Sequence, residues 1–412
     1  MSAIVERKEL RQRSDYTYKF NAGTGRHGWL RLTPAYSVKI VEELIVGHTE
    51  AKRVFDPFCG TGTTALSAAY HGHDGVTTDI NPFLIWLAKA KTAHYSSHDI
   101  AAAHNACRAA VDTVQVRKLE PAPAPPIHNI ERWWSSQALE FLCLLRQAIV
   151  TVTSDHSPER TLLLIAFCRC LIDLSNAAFN HQSMSFKNCN QTDIGFDLDM
   201  ADIFVKDVDF VVRGAAENPA GFAEVVLGDA RDPAGAVKGP FDLVVTSPPY
   251  ANRMSYIREL RPYMYWLGFL SNGRDAGDLD WSAIGGTWGI ATSRLVDWKR
   301  STEYYRSEKL IKAVDQIAHV DNKSGVVLAN YVAKYFDDMW SHFQRLTPVL
   351  NSGSEVHYIV GNSTFYGVLV STELLYAQML SELGFMDVKC HPIRKRNSKK
   401  ELIEFDVVGR WR

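Results

Sequence analysis

The residues best suited to chemistry are Ser247, Pro248, Pro249 and Tyr250, directly after the apolar run Leu243-Val-Val245. A hydroxyl, stiff carbonyls and an aromatic face set side by side can accept hydrogen bonds from a polar ring and stack on it. The run before them suits a short strand buried on both faces of a parallel sheet. Neither proline can donate to a ladder, so the strand must stop and present Ser247 and Tyr250 at its carboxyl edge. That edge is where open α/β sheets bind ligands. Proline dihedrals are preset, so little chain entropy is lost in holding such an edge rigid. Taken alone, the tetrapeptide equally describes a strand-ending turn with a packed tyrosine. It needs a partner elsewhere in the chain.

A partner stands near the start. Arg53-Val-Phe reads as a strand, Asp56-Pro-Phe-Cys-Gly-Thr-Gly62 as a glycine loop, and the small-residue segment from Thr63 to Tyr70 as a helix. Gly60 and Gly62 let the backbone approach a ligand closely, and the helix offers unpaired amides. The loop has neither the G-x-G-x-x-G of dinucleotide sites nor the Gly-Lys-Ser/Thr of a Walker loop. Asp56 suits a cationic amine and would be out of place beside a phosphate. A second strand, Gly75–Asp79, ends in an acid placed for ribose hydroxyls; capping of the next helix by Asp79 or Asn81 is the competing reading. A third strand, Glu224-Val-Val-Leu227, leads into Gly228-Asp229-Ala230.

These elements imply an α/β protein. Residues 1–30, polar and glycine-containing, read as an arm or lid. A helix over 32–45 follows, with Thr33 as cap and Pro34 in its first turn. Residues 95–220 break the strand–helix alternation with helices at about 101–117, 133–152 and 159–174, separated by a proline-rich connector, and read as a helical insertion. The aromatic and basic segment 251–270 reads mainly as an amphipathic helix whose rings are core. The glycine-hinged loop at 284–290 and the basic loop at 394–400 suit ligand-facing positions. The chain ends strand, helix, strand, strand.

Composition narrows the class. The chain has 412 residues, 46% of them hydrophobic, enough for a large core. A formal charge of −1 gives no global nucleic-acid signature, so any such surface must be local. Seven scattered cysteines without Cys-x-x-Cys spacing suggest neither a disulfide framework nor a zinc site, and Cys168 and Cys170 read as buried thiols. Charges near the first residue and the lack of a long apolar run point to a reduced, cytoplasmic protein.

Taken together, Asp56-Pro-Phe-x-Gly-x-Gly62, Asp79, Gly228-Asp229 and Thr246-Ser-Pro-Pro-Tyr250 resemble the amino-methyltransferases of DNA, over about residues 27–94 and 224–410. The resemblance implies a Rossmann-like sheet of seven strands with the last antiparallel, and S-adenosylmethionine as cofactor. It implies a methyltransferase domain over 1–94 and 221–412, with 95–220 as an insertion able to serve target recognition and 251–300 as a DNA-contacting segment. By the same resemblance Asp56, Phe58, Gly60, Gly62 and Thr63 hold the methionine end, Thr33 and Pro34 close over it, Asp79 binds the ribose, and Asp229 with Ala230 the adenine. Ser247 through Tyr250 match the catalytic motif. A leading serine is typical of cytosine-N4 enzymes, and Asp or Asn of adenine-N6 enzymes.

The expected activity is therefore N4 methylation of a flipped cytosine in double-stranded DNA, within a restriction-modification system that can include a cognate restriction enzyme. Ser247 and the Pro248 carbonyl would hold the amine hydrogens, and Tyr250 would stack on the base. The reaction so read needs no metal, and no cysteine stands at the motif for C5 chemistry. Arg253, Trp288, Lys395 and Arg396 are the candidate DNA contacts. Competing readings are adenine-N6 or RNA-base methylation on the same fold, a dinucleotide oxidoreductase, and a non-catalytic DNA-binding protein.

Overall fold

In a computed structural model of the chain, residues 10–32, 35–116, 118–178, 185–186, 200–286, 290–300, 304–320, 324–396 and 401–412 are described. Seven strands form the main sheet: β1 (Arg53–Asp56), β2 (Asp74–Asp79), β3 (Ala223–Leu227), β4 (Phe241–Thr246), β5 (Leu350–Gly361), β6 (Met386–Lys395) and β7 (Ile403–Arg410). Their order is β6-β7-β5-β4-β1-β2-β3. Every neighbouring pair is parallel except the two made by β7, so the last strand alone runs against the rest. This is the Rossmann-like methyltransferase architecture that the motifs imply.

The central strands are apolar throughout because both their faces are covered. Phe55 and Val244 enter one core with the helices Gly325–Leu346 and Thr372–Glu382. Their neighbours Val54, Leu243 and Val245 point the other way, into a smaller core with Val41 and Ile45 of the helix Val38–Gly47. A third core joins the helices Ser97–Val116, Ser136–Val152, Pro158–Asp173 and Met200–Ala215 to Phe83 and Leu87 of the helix Pro82–Thr92. Trp266, from the helix Tyr256–Trp266, meets Trp134 and Phe167 edge-on, each with ring centroids 5.6 Å apart. Tyr263 and Tyr265 are buried as well, as expected for rings of an amphipathic helix. Cys168 and Cys170 are buried free thiols. Among the described residues no helix is long and apolar enough to cross a membrane.

Two expectations for the amino-terminal region fail. The helix expected over 32–45 begins at Val38, and its cap is Ser37, whose hydroxyl accepts from the Lys39 amide, instead of the expected Thr33. Residues 26–30 are not an arm or lid but core: Arg26 and Trp29 are fully buried. The Arg26 guanidinium donates to the carbonyls of Lys91, Ala93, Gly214 and Ala215 and to the Asn218 side chain. All five of its N–H groups are used, which offsets the cost of burying the charge and sews the insertion's last helix to the helix Pro82–Thr92. Arg26→Met should therefore lower stability by about 3 kcal/mol or more, since these acceptors lose their partners inside the fold. Urea denaturation would show this as a lower midpoint at unchanged slope.

Candidate active site

The glycine loop leaves β1 at Asp56 and turns on Gly60 and Gly62, at φ of +50° and +75°. A side chain at Gly62 would also place its Cβ 2.9 Å from that of Ala88, so the loop can lie flat on the helix Pro82–Thr92 only with glycine there. The loop is stitched to β2: the Cys59 amide donates to Thr78 O, and the Thr78 hydroxyl to Pro57 O. Beyond it, the helix Thr63–Tyr70 starts without a side-chain cap.

Asp56 is wholly buried. Its Oδ1 accepts from the Phe58 amide at 3.0 Å and from the Thr246 hydroxyl at 2.5 Å, and its Oδ2 lies 3.5 Å from the Tyr36 hydroxyl. Asp79, at the end of β2, accepts from the amides of Gly60 and Asn81. Asn81, not Asp79, caps the next helix, through the Phe83 amide. Burial pushes both carboxyls up to about 6, against the amide hydrogen bonds that favour the charged forms.

Asp229, after β3, behaves differently. Burial alone would raise its pKa, but the Arg231 guanidinium grips both its oxygens, at 3.0 Å to Oδ1 and 2.6 Å to Oδ2, and holds it below the usual range. Arg231 also donates to Ser282 O, so the acid is braced against the segment after the Tyr256–Trp266 helix. The neighbouring Ala230 carbonyl accepts from Nδ1 of His342. Burial holds that imidazole neutral, at about 4, so its Nε2 can accept from the Tyr358 hydroxyl.

At the end of β4 the Ser247 hydroxyl donates to Ile359 O of β5 at 3.0 Å. Two tyrosines on the helix Gly325–Leu346 support the turn from behind, Tyr335 donating to Pro249 O and Tyr331 to Tyr250 O. The Tyr250 amide donates to the Tyr256 hydroxyl, and its own hydroxyl to Glu404 of β7. The Arg396 guanidinium lies 4.9 Å above the Tyr250 ring and donates to Asn362 O.

One cavity joins these parts. Its wall includes Phe58, Gly60, Thr63, Asp79, Asp229, Ala230, Ser247 and Pro249. Asp56 and Gly62 do not line it; they stand behind the wall and fix the loop that does, and of the proline motif Pro248 and Tyr250 are not on the wall either. Arg253 is exposed just past the motif, and Lys395 closes β6 beside Arg396. Thr33, Pro34 and Trp288 lie outside the described residues. Residue types alone did not single out Tyr331, Tyr335, His342, Arg231 or Glu404. The i, i+4 spacing of Tyr331 and Tyr335 was the one available signal, and it reads equally as core.

A family model described as D12 class N6 adenine-specific DNA methyltransferase matches residues 38–115. The Type II methyltransferase M.MvaI of Kocuria varians is 22% identical over 371 residues, covering 85% of this chain and 79% of the relative. The Type II methyltransferase M.BsoBI of Geobacillus stearothermophilus is 20% identical over 463 residues, covering 98% and 88%. M.AvaI of Nostoc is 24% identical over 172 residues, 39% of this chain and 35% of the relative. Together these matches support a DNA methyltransferase. The region matched by the family model contains the glycine loop and Asp79 but stops well before Ser247.

The raised carboxyl pKa values set a pH test. The folded values, about 6, exceed the unfolded value of 3.8, so these two groups stabilise the ligand-free fold increasingly as pH falls through 6. A ligand that needs them ionised should bind with the opposite trend. Titration calorimetry with S-adenosylmethionine should show affinity dropping between about pH 7.5 and about pH 5, with Asp79→Asn already weak at the upper end. A flat profile would mean that binding does not depend on the ionisation of these carboxylates.

Proposed function

We propose that the protein transfers a methyl group from S-adenosylmethionine to the exocyclic N4 of cytosine in double-stranded DNA, on a base turned out of the duplex. The direction of the Ser247 hydroxyl supports methyl transfer to an exocyclic amine, and the serine that leads the motif, by the resemblance noted above, favours cytosine-N4 over adenine-N6. Its hydrogen goes to Ile359 O, so the oxygen on the cavity wall is left as an acceptor. An exocyclic amine, which has N–H groups to donate, suits such an oxygen; a ring carbonyl does not. With the Pro248 carbonyl as second acceptor, both amine hydrogens would be held and the nitrogen drawn from conjugation toward a pyramidal, nucleophilic geometry. Fixing that nitrogen beside the glycine loop supplies proximity without a covalent enzyme intermediate.

The donor set fits the cofactor. A flat glycine loop, an acid beside it on the wall and an ionised second acid at the far end match a ligand with an amino-acid end, a ribose and an adenine. Phe58, Gly60, Thr63, Asp79, Asp229 and Ala230 would hold it, with Asp56 and Gly62 fixing the loop and Thr33 and Pro34 closing over it. When bound, S-adenosylmethionine supplies a methyl group activated by a sulfonium sulfur. Tyr250 would stack on the flipped base once Arg396 yields the ring face it now covers. Arg253, Trp288, Lys395 and Arg396 would meet the DNA backbone. The Type II relatives favour a place in a restriction-modification system, with a cognate restriction enzyme as partner.

The description of the family model favours a second reading, adenine-N6 methylation. It rests on the cofactor half of the site, whereas Ser247 belongs to the half that would touch the base. Nucleosides from DNA methylated by the chain should weigh as N4-methyldeoxycytidine; N6-methyldeoxyadenosine would decide for the second reading, and neither product would sink both. Ser247→Ala should cut kcat on the order of a hundredfold while leaving cofactor affinity intact. Tyr250→Ala should instead raise the KM for DNA about tenfold. For the backbone contacts, Lys395→Ala should reduce the slope of log binding constant against log salt by about one, with no change in base specificity.

A further inference from the structure

On the far face of β5 from the Gly325–Leu346 helix, Glu355 and His357 stand side by side, as i and i+2 of a strand must. His48, just past the end of the helix Val38–Gly47, completes a trio. The Glu355 Oε1 lies 3.5 Å from Nε2 of His48 and 3.1 Å from Nε2 of His357. A tetrahedral first-row ion with bonds of about 2.0 Å separates its ligand atoms by about 3.3 Å, so these edges bracket the required length. All three donor atoms lie within 4.8 Å of one another.

Each imidazole is also oriented. Nδ1 of His48 meets Leu44 O at 2.7 Å, and Nδ1 of His357 meets the Asp406 carboxylate at 2.9 Å. Acceptors at Nδ1 keep the hydrogen there and leave Nε2 its lone pair, the arrangement of metal-bound histidines. His357 is 4% exposed, and its Nε2 is buried without a hydrogen-bond partner; the Glu355 contact is close but not aligned for a hydrogen bond. An open polar pocket lined by Lys389, His391, Asp406 and Arg410 adjoins Glu355 and His357, giving an entry path and room for a further ligand.

We propose that His48, Glu355 and His357 bind one first-row divalent metal ion, with water or a small anion in the open position. Two imidazoles and a carboxylate suit Zn2+ best and Fe2+ next. The ion would pin the carboxyl end of the Val38–Gly47 helix to β5. That helix follows Tyr36 on the cavity wall, and β5 carries the Ile359 carbonyl that holds Ser247. The site is thus a clip behind the active site, and it stands whether or not the proposed reaction is correct. The rival occupant is a proton on His357, shared between Glu355 and Asp406.

The full chain, stripped with a chelator, should take up one equivalent of Co2+ with the visible ligand-field absorption of a low-coordinate site, and Zn2+ should displace it one for one. Anaerobic Fe2+ competing better than Zn2+ would reassign the ion but keep the site. Zn2+ should raise the melting temperature of the parent. His48→Ala and the near-isosteric Glu355→Gln, both at partly exposed positions, should each weaken Co2+ binding at least about tenfold. If His48→Ala does not fold, the Glu355→Gln comparison decides alone. No Co2+ absorption, or equal affinity in parent and Glu355→Gln, would overturn the proposal in favour of the shared proton.

Discussion

A hydrogen bond from the Thr246 hydroxyl to the Asp56 carboxylate joins the two halves of the cavity. β1 and β4 are parallel neighbours, so the glycine loop and the Ser-Pro-Pro-Tyr turn leave the sheet side by side. Adjacency alone would leave them free to drift. The shared carboxylate removes that freedom, because the oxygen that accepts from Thr246 also accepts from the Phe58 amide inside the loop. The Thr64 hydroxyl adds a parallel tie to Val245 O. In so dry a place, losing one donor would leave a carboxylate poorly compensated, so loop and turn are held as one body. The proposed reaction, which brings a nitrogen and a methyl group together, would depend on such fixed spacing.

The proline pair has a structural cost that the rest of the fold meets. Two prolines supply carbonyls but no amides, so the turn has few donors of its own, although the Asn252 amide does reach Tyr250 O at 2.8 Å. The helix Gly325–Leu346 adds donors from outside, with Tyr335 on Pro249 O at 2.8 Å and Tyr331, one turn away, on Tyr250 O at 3.4 Å. Tyr335 also shares a hydrogen bond with Tyr376 of the helix beyond, so the support reaches across the whole layer. Phenols are well matched to this role, since their rings count as core while their hydroxyls reach the sheet edge.

Much of this was legible in the sequence because it is local. Strand, glycine loop, acid and proline turn are contiguous signals, and each stands at the carboxyl end of its strand as read. The apolar character of β4 correctly announced burial on both faces. What escaped notice depends on contacts between distant residues. Arg26 looks like a surface residue until five acceptors from 65 to 192 positions away are gathered round it. Thr33 looks like a cap because Pro34 follows it, yet Ser37 takes that role once Asn21 accepts from the Val38 amide and fixes the helix start. His48, Glu355 and His357 are invisible as a group, since only the packing of a helix end on β5 brings them together.

The antiparallel β7 explains why Arg394 and Arg396 stand beside Glu404 and Tyr250. β6 runs parallel to the central strands, so its last residues, Arg394 and Lys395, arrive at the ligand edge of the sheet. β7 starts from that same edge, and its second residue is Glu404. Had the final strand run parallel, its start would lie at the opposite edge, and Tyr250 would have no carboxylate partner there. Glu404 accepts from Tyr250 and from Arg394 at once, while Arg396 covers the Tyr250 ring. The charge of the hairpin is therefore coupled to the aromatic ring on which a base would stack. On the proposed reading, a nucleic-acid backbone drawing Arg396 away would uncover that ring in the same movement, so contact with the polymer and access to the stacking face would be one event.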